Sequence, residues 1–181
     1  MRRLLLLGLV VAVAAGAAVW IVNAPPDAVQ RLRYPLHYSA IVRGHARNYR
    51  LNPALLAAVI DAESKFHADA KSGSGAIGLM QLLPSTAQGI ALHTGGSQFR
   101  TRDLYNPEIN VRYGSWYLRH LLDKYEDERT ALAAYNAGQD NVDRWIEDGS
   151  GIGFAETRAY VDHVEKLKGI YREVWGSQLA S

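Results

Sequence analysis

Glu63 is the residue of this chain whose surroundings best suit acid–base chemistry. Leu55, Leu56, Val59 and Ile60 recur at helical spacing, and Glu63 falls four residues after Val59 on the same face. A carboxylate on an apolar face is costly unless it is paired or kept protonated. The C-terminal end of a helix carries partial negative charge, which also disfavours ionisation. Both effects raise the pKa toward the range a general acid needs near neutral pH. The plain alternative is a glutamate exposed at a frayed helix end. Just downstream, Gly73-Ser74-Gly75-Ala76-Ile77-Gly78 satisfies the spacing of a dinucleotide fingerprint. That fingerprint works only between a strand and a helix inside a βαβ unit, and here a helix precedes it. The glycines are better explained by a backbone that passes close to a ligand or another segment.

Other chemistries find less support. The six histidines (37, 45, 67, 93, 120 and 163) are dispersed, with no HExxH pair, so neither a metal site nor a cofactor is expected. There is no cysteine and no GxSxG elbow, which makes Ser64 and Ser72 hydrogen-bonding groups and not nucleophiles. Tyr135 and Asn136 end a helix just before Gly138. They read either as a buried tyrosine with a helix-terminating asparagine or as groups lining a cleft. Glu156 opens the last helix, where a carboxylate suits the positive end of the dipole. Trp116, Tyr117, Trp145 and Trp175 could stack on sugars, but at helical spacing they read as core.

Four blocks of the chain together resemble the catalytic domain of the lytic transglycosylases, lysozyme-like enzymes of bacterial peptidoglycan. They are Glu63-Ser64 with Phe66; Gly75-Ala76-Ile77-Gly78-Leu79-Met80-Gln81 with Pro84, Thr86 and Ala87; Ala134-Tyr135-Asn136-Ala137-Gly138, with Asn106-Pro107 and Gly114 upstream; and Glu156-Thr157-Arg158-Ala159-Tyr160-Val161. They span roughly residues 36 to 175, in register. The resemblance implies that Glu63 protonates the β-1,4 bond between N-acetylmuramic acid and N-acetylglucosamine. It then takes the proton from the sugar's own C6 hydroxyl, which closes a 1,6-anhydromuramyl end without water. It further implies that Ser72 bonds the 2-acetamido group, and that Gln81, Tyr135, Asn136, Glu156 and Tyr160 hold substrate. A single acid fits the sequence near Glu63: Asp61 points about 160° around the helix, and Asp69 would need the loop to fold back. Two alternatives stay open, a muramidase using water like the related goose-type lysozymes and a non-catalytic glycan-binding module. The chain departs from the pattern after Phe66, where a frequent proline is replaced by His67-Ala68.

The elements that must position these groups are helices. Asn52-Pro53 and Asn106-Pro107 each pair an N-cap with proline at the first helical position. Ser85 reads as the cap of a short helix ending near Gly95-Gly96. Asp127 reads as the cap of the helix carrying Tyr135, with Gly138 as its terminator. From Pro107 a long apolar face includes Ile109, Tyr113, Trp116, Tyr117, Leu121 and Tyr125. A last helix is expected from Glu156 to about Trp175. No period-2 alternation is sustained, so the expected fold is an all-α, lysozyme-like domain over 36–178 with one long functional loop from His67 to Leu83.

The N-terminus is of a different kind. Arg2 and Arg3 precede nineteen uncharged residues, Leu4 to Val22, a length that suits a membrane span. Residues 1–24 are therefore expected to be an uncleaved signal anchor, because proline directly follows the cleavage candidate Val22-Asn23-Ala24. Residues 25–35, with three prolines, read as a stiff tether. This places the domain outside the cytoplasmic membrane of a bacterium, with a secreted, processed form as the alternative. Glycan strands of peptidoglycan and the membrane are the expected partners. A net charge of +2 with scattered basic residues gives no face for nucleic acid.

Overall fold

The structure, a computed structural model, describes residues 26–96 and 98–180, together with residues 9, 12, 13, 15 and 16. The chain divides into two units, Met1–Pro35 and Leu36–Ser181. In the first, Pro26–Arg33 forms a helix, α1, where the three prolines suggest an extended tether. Pro26 sits at the first helical position, where a missing N–H costs nothing. The helix closes with Tyr34 donating its backbone N–H to the Gln30 carbonyl at 2.8 Å. The apolar run expected to span a membrane lies almost wholly outside the described residues. Among the described residues no helix is long and apolar enough to cross one.

The second unit holds α2 (Ser39–Asn48), α3 (Pro53–Ser64), α4 (Pro84–Thr94), a 3₁₀ turn (Thr101–Tyr105), α5 (Pro107–Tyr125), α6 (Glu128–Ala137), α7 (Gln139–Glu147) and α8 (Ala155–Ala180). Two isolated antiparallel bridges, Lys71 to Ile77 and Ile77 to Leu82, lie within the loop between α3 and α4. The fold is all-α. Three helix starts follow the sequence signals. Asn52 accepts from the N–H groups of Ala54 and Leu55, Asn106 from those of Glu108 and Ile109, and Asp127 from that of Thr130. Each such cap is worth about 1 kcal/mol. α4 differs: it begins at Pro84 after Leu83 and has no side-chain cap, which leaves Ser85 inside the first turn. The fixed φ of proline sets the first position there, one residue ahead of the serine. α4 and α6 stop at glycines with positive φ, Gly95 and Gly138.

α3 is the core of the unit. Every residue from Ala54 to Ile60 is buried, so the helix is enclosed all round and has no polar face. It packs most extensively against α8, whose Val161, Val164, Leu167, Tyr171 and Val174 are also buried. α8 continues five residues past the expected end at Trp175, because Leu179 is buried and Arg43 donates to the Gln178 carbonyl at 3.0 Å. Glu63 is thus carried on the last turn of a helix enclosed on every side over Ala54 to Ile60.

Candidate active site

α3 ends where its backbone turns left-handed at Lys65 (φ 50°) and Phe66 (φ 61°), and Glu63 is the last acidic side chain before that turn. The Tyr160 hydroxyl, from α8, donates to Glu63 Oε1 at 2.7 Å. Burial pushes the Glu63 carboxyl up to about 7, with the bond from Tyr160 acting in the opposite direction. Near neutral pH the group therefore populates both its acid and its base form. Asp61, two residues earlier, also has its pKa raised by burial, but it faces elsewhere and accepts from the Tyr171 hydroxyl at 3.1 Å.

Glu63 opens into a cleft of about 410 Å³. Ser72, Gln81, Tyr135, Asn136 and Glu156 line it with Glu63, so six of the seven site residues expected from the sequence share one cavity. The seventh, Tyr160, is not among the lining residues. It touches the acid, donating to Glu63. Asp69 and His67 are exposed and do not line the cleft either. Among the described residues, Glu156 is the one other carboxylate on its wall.

The loop wall is held by a set of buried hydrogen bonds. Ser64 Oγ donates to the Leu79 carbonyl at 2.8 Å, which fastens the end of α3 to the loop. Met80 is gripped three ways. Its N–H donates to Asn110 Oδ1 and its carbonyl accepts from the Tyr135 hydroxyl, both at 2.8 Å. Its side chain fills the notch at Gly114, where a Cβ would lie 2.3 Å from the sulfur. Asn110, fully buried on α5, also donates from Nδ2 to the Ile77 and Leu104 carbonyls at 2.8 Å each. At Gly78 (φ 80°) a Cβ would lie 2.3 Å from both Asn110 Nδ2 and the Leu104 carbonyl oxygen. This glycine fits the expected close approach of two backbones.

Within the loop, Ser72 Oγ accepts from the Ala76 N–H at 3.0 Å and pairs with Ser74 Oγ at 2.8 Å. Gln81 Nε2 donates to the Gly78 carbonyl at 2.9 Å and to that of Ala70 at 3.2 Å. On the helical wall, Asn136 Oδ1 accepts from the Thr157 hydroxyl at 2.8 Å, which links α6 to α8. Tyr117 also faces the cleft, where its helical spacing had read as core, and its ring packs against Tyr135 at 5.6 Å between centroids. The sequence reading passed over Asn110 altogether. The available signal was a lone asparagine between Ile109 and Tyr113 on an apolar helical face.

Residues 40–155 match the family model described as "Transglycosylase SLT domain". The chain belongs to this family. It is 35% identical over 144 residues to a putative soluble lytic murein transglycosylase of Haemophilus influenzae, an alignment covering 74% of this chain and 24% of that protein. It is 38% identical over 118 residues to a transglycosylase of the phage PRD1, covering 65% of this chain and 38% of the relative. Among solved structures, the 70 kDa soluble lytic transglycosylase of Escherichia coli superposes with a TM-score of 0.76 at 28% identity, over 83% of this chain and 26% of that one. An inactive glutamate-to-glutamine mutant of the lytic transglycosylase Slt from Pseudomonas aeruginosa gives 0.72 at 34% identity, over 79% and 25% of the two chains. The chain thus spans about a quarter of the length of the bacterial relatives it matches. Its helical unit shares their lysozyme-like fold.

Proposed function

We propose that the protein is a peptidoglycan lytic transglycosylase that cleaves the β-1,4 bond between N-acetylmuramic acid and N-acetylglucosamine and leaves 1,6-anhydromuramyl ends. The observation that carries this reading is Glu63: a carboxyl held near pH 7 by burial, bonded to Tyr160 and open to a cleft. In its protonated form Glu63 gives its proton to the glycosidic oxygen as the bond to C1 breaks. The muramyl 2-acetamido oxygen bridges to C1, oriented by Ser72. Glu63, now ionised and stabilised by the Tyr160 hydroxyl, takes the proton of the C6 hydroxyl as that oxygen attacks C1. One group serves as acid and then base, and its pKa suits both steps. Gln81, Tyr135, Asn136 and Glu156 supply polar contacts along the strand. The inactive glutamate-to-glutamine mutant of the Pseudomonas aeruginosa neighbour is consistent with an essential glutamate in this family.

One observation favours a second reading. Glu156 faces the same cleft, and two carboxylates can run a hydrolysis in which water attacks C1. Digestion of purified sacculi followed by mass spectrometry separates the two. Anhydro ends, 18 Da lighter than reducing ends by the loss of one water, are expected; reducing ends alone would assign the hydrolytic reaction. We place the enzyme at the bacterial cytoplasmic membrane, with residues 4–22 as anchor and the domain outside. The support is the length of the uncharged run and the arginines before it. Resistance of the full-length protein to extraction by salt or high pH tests this, and a soluble form starting near Pro25 would replace it with a cleaved signal.

A further inference from the structure

A second groove, about 660 Å³, lies between the end of α2 and the middle of α5 and shares no lining residue with the cleft. Tyr49 and Arg50 form one side. Trp116, Arg119, His120 and Asp123, spaced at three, four and seven residues along α5, form the other. Tyr117 on the same helix faces the cleft, so α5 contributes one stripe to each site.

Three features define this groove. Arg50 holds a left-handed backbone (φ 52°) at the end of α2, where the Leu51 N–H reaches back to the Ala46 carbonyl at 2.8 Å. That position favours glycine, yet an arginine stands there, and its guanidinium has no partner among the described residues. Arg119 is underused as well. It pairs with Asp123 at 2.6 Å and makes a long 3.4 Å bond to the Arg50 carbonyl, while its Nε–H is buried with no acceptor among the described residues. Beside them the Trp116 and His120 rings are stacked in parallel, 5.5 Å between centroids, and both line the groove. Two guanidiniums against one carboxylate leave the groove with an unmatched positive charge. A planar anion that accepts from the fork of an arginine meets that demand, and a carboxylate is the ligand of this shape.

We propose that this groove binds a carboxylate of a peptide carried by the glycan strand, so that the enzyme holds its polymer at a point remote from the scissile bond. The assignment of the glycan as substrate rests on the function proposed above; the groove's selectivity for carboxylate does not. Arg50 is the deciding residue, because Arg50→Gly removes the charge while giving the left-handed position the residue it favours.

Calorimetric titration of the full-length protein in detergent tests the binding, using a short glutamate-containing peptide and its fully amidated counterpart. Wild type binds the free peptide. Arg50→Gly weakens that binding about fivefold, the range of one exposed ion pair, with thermal stability unchanged or raised. Amidation of the peptide weakens its binding to wild type to the same degree, and Arg50→Lys recovers part of the loss. On cleavage, Arg50→Gly raises KM about fivefold for strands bearing peptides, leaves it unchanged for peptide-free glycan oligomers, and leaves kcat alone in both. Absence of peptide binding to wild type, equal binding of the amidated peptide, or an equal KM effect on peptide-free strands would overturn the proposal. If wild type binds the peptide through Arg50 yet cleaves no glycan, the groove stands and the glycan reading falls.

Discussion

On one side of the cleft, Glu63, Tyr117 and Tyr135 ride on helices whose positions are set by apolar packing around α3. On the other, residues 70–83 bury Ala76, Ile77, Leu79, Met80 and Leu82, and their backbone is also held by hydrogen bonds to one asparagine, one serine and one tyrosine. The first wall tolerates the usual trade of one apolar residue for another of similar volume. The second depends on polar partners as well, because its bonds to Ser64 and Asn110 are buried and cannot be replaced by shape alone. The acid sits on the packed wall. Of the groups expected to hold the sugar, Ser72 and Gln81 sit on the bonded wall, and Tyr135, Asn136, Glu156 and Tyr160 sit on the helices.

The largest effect expected from breaking this division is at Asn110. Asn110→Ala removes three buried bonds and strands their partners, so it should cost about 3–4 kcal/mol and lower Tm by about 10 °C. A thermal scan checks this, and a loss near 1 kcal/mol would mean that the loop holds its path without the asparagine. Next is the acid. Glu63→Gln keeps volume and an acceptor for Tyr160 but has no proton to give, and turnover should fall at least about 100-fold. Activity within tenfold of wild type would move the role to Glu156.

The same variant carries a stability signature that the loop wall cannot mimic. Glu63 has its pKa raised from 4.5 to about 7, so the folded state binds more protons than the unfolded one between those values. Stability therefore falls as pH rises through that window, by on the order of 2–3 kcal/mol at pH 8. Glu63→Gln removes the term: it should melt several degrees above wild type at pH 8 and together with it at pH 4. Equal melting at both would show a carboxyl that is solvated in the folded protein.

Tyr160→Phe sharpens the contrast from the helical side. The tyrosine stabilises the ionised form, so its removal raises the pKa of Glu63 further. The falling alkaline limb of the pH–rate profile should move up by about half a unit or more. A limb that stays in place, with only KM changed, would make Tyr160 a substrate contact. Ser72→Ala should give a loss of roughly threefold to thirtyfold in kcat, from one neutral hydrogen bond that strengthens as charge develops at C1. Because Ser72 also accepts from the Ala76 N–H, a fall in Tm with an unchanged rate would reassign it to shaping the loop.

How much of this is legible in the sequence follows the same line between packing and bonding. α3, its cap at Asn52 and the acid at its end are local features, set within a dozen residues, and they can be read directly. The stop at Gly138 and the cap at Asp127 are of the same kind. Asn110 is not, because its three partners lie six to thirty-three residues away and only the folded loop brings them to it. Tyr117 looks like core because an aromatic on a helical stripe has the same spacing whether it faces a cavity or a neighbour. Tyr160 belongs to the right helix, but its 2.7 Å bond spans ninety-seven residues to the acid, and spacing alone cannot tell that partner from a sugar.

Met80 links the two walls, and its sulfur gives the cleft a chemical vulnerability of an unusual kind. The thioether is fully enclosed in the notch at Gly114, where an added oxygen has no room and peroxide has no approach. Oxidation must therefore wait for the loop to leave α5. A sulfoxide formed in that moment is polar and bulky, and it bars the loop from returning. Damage at Met80 then requires the loop to open first, so a tightly closed cleft protects its sulfur for as long as it stays shut.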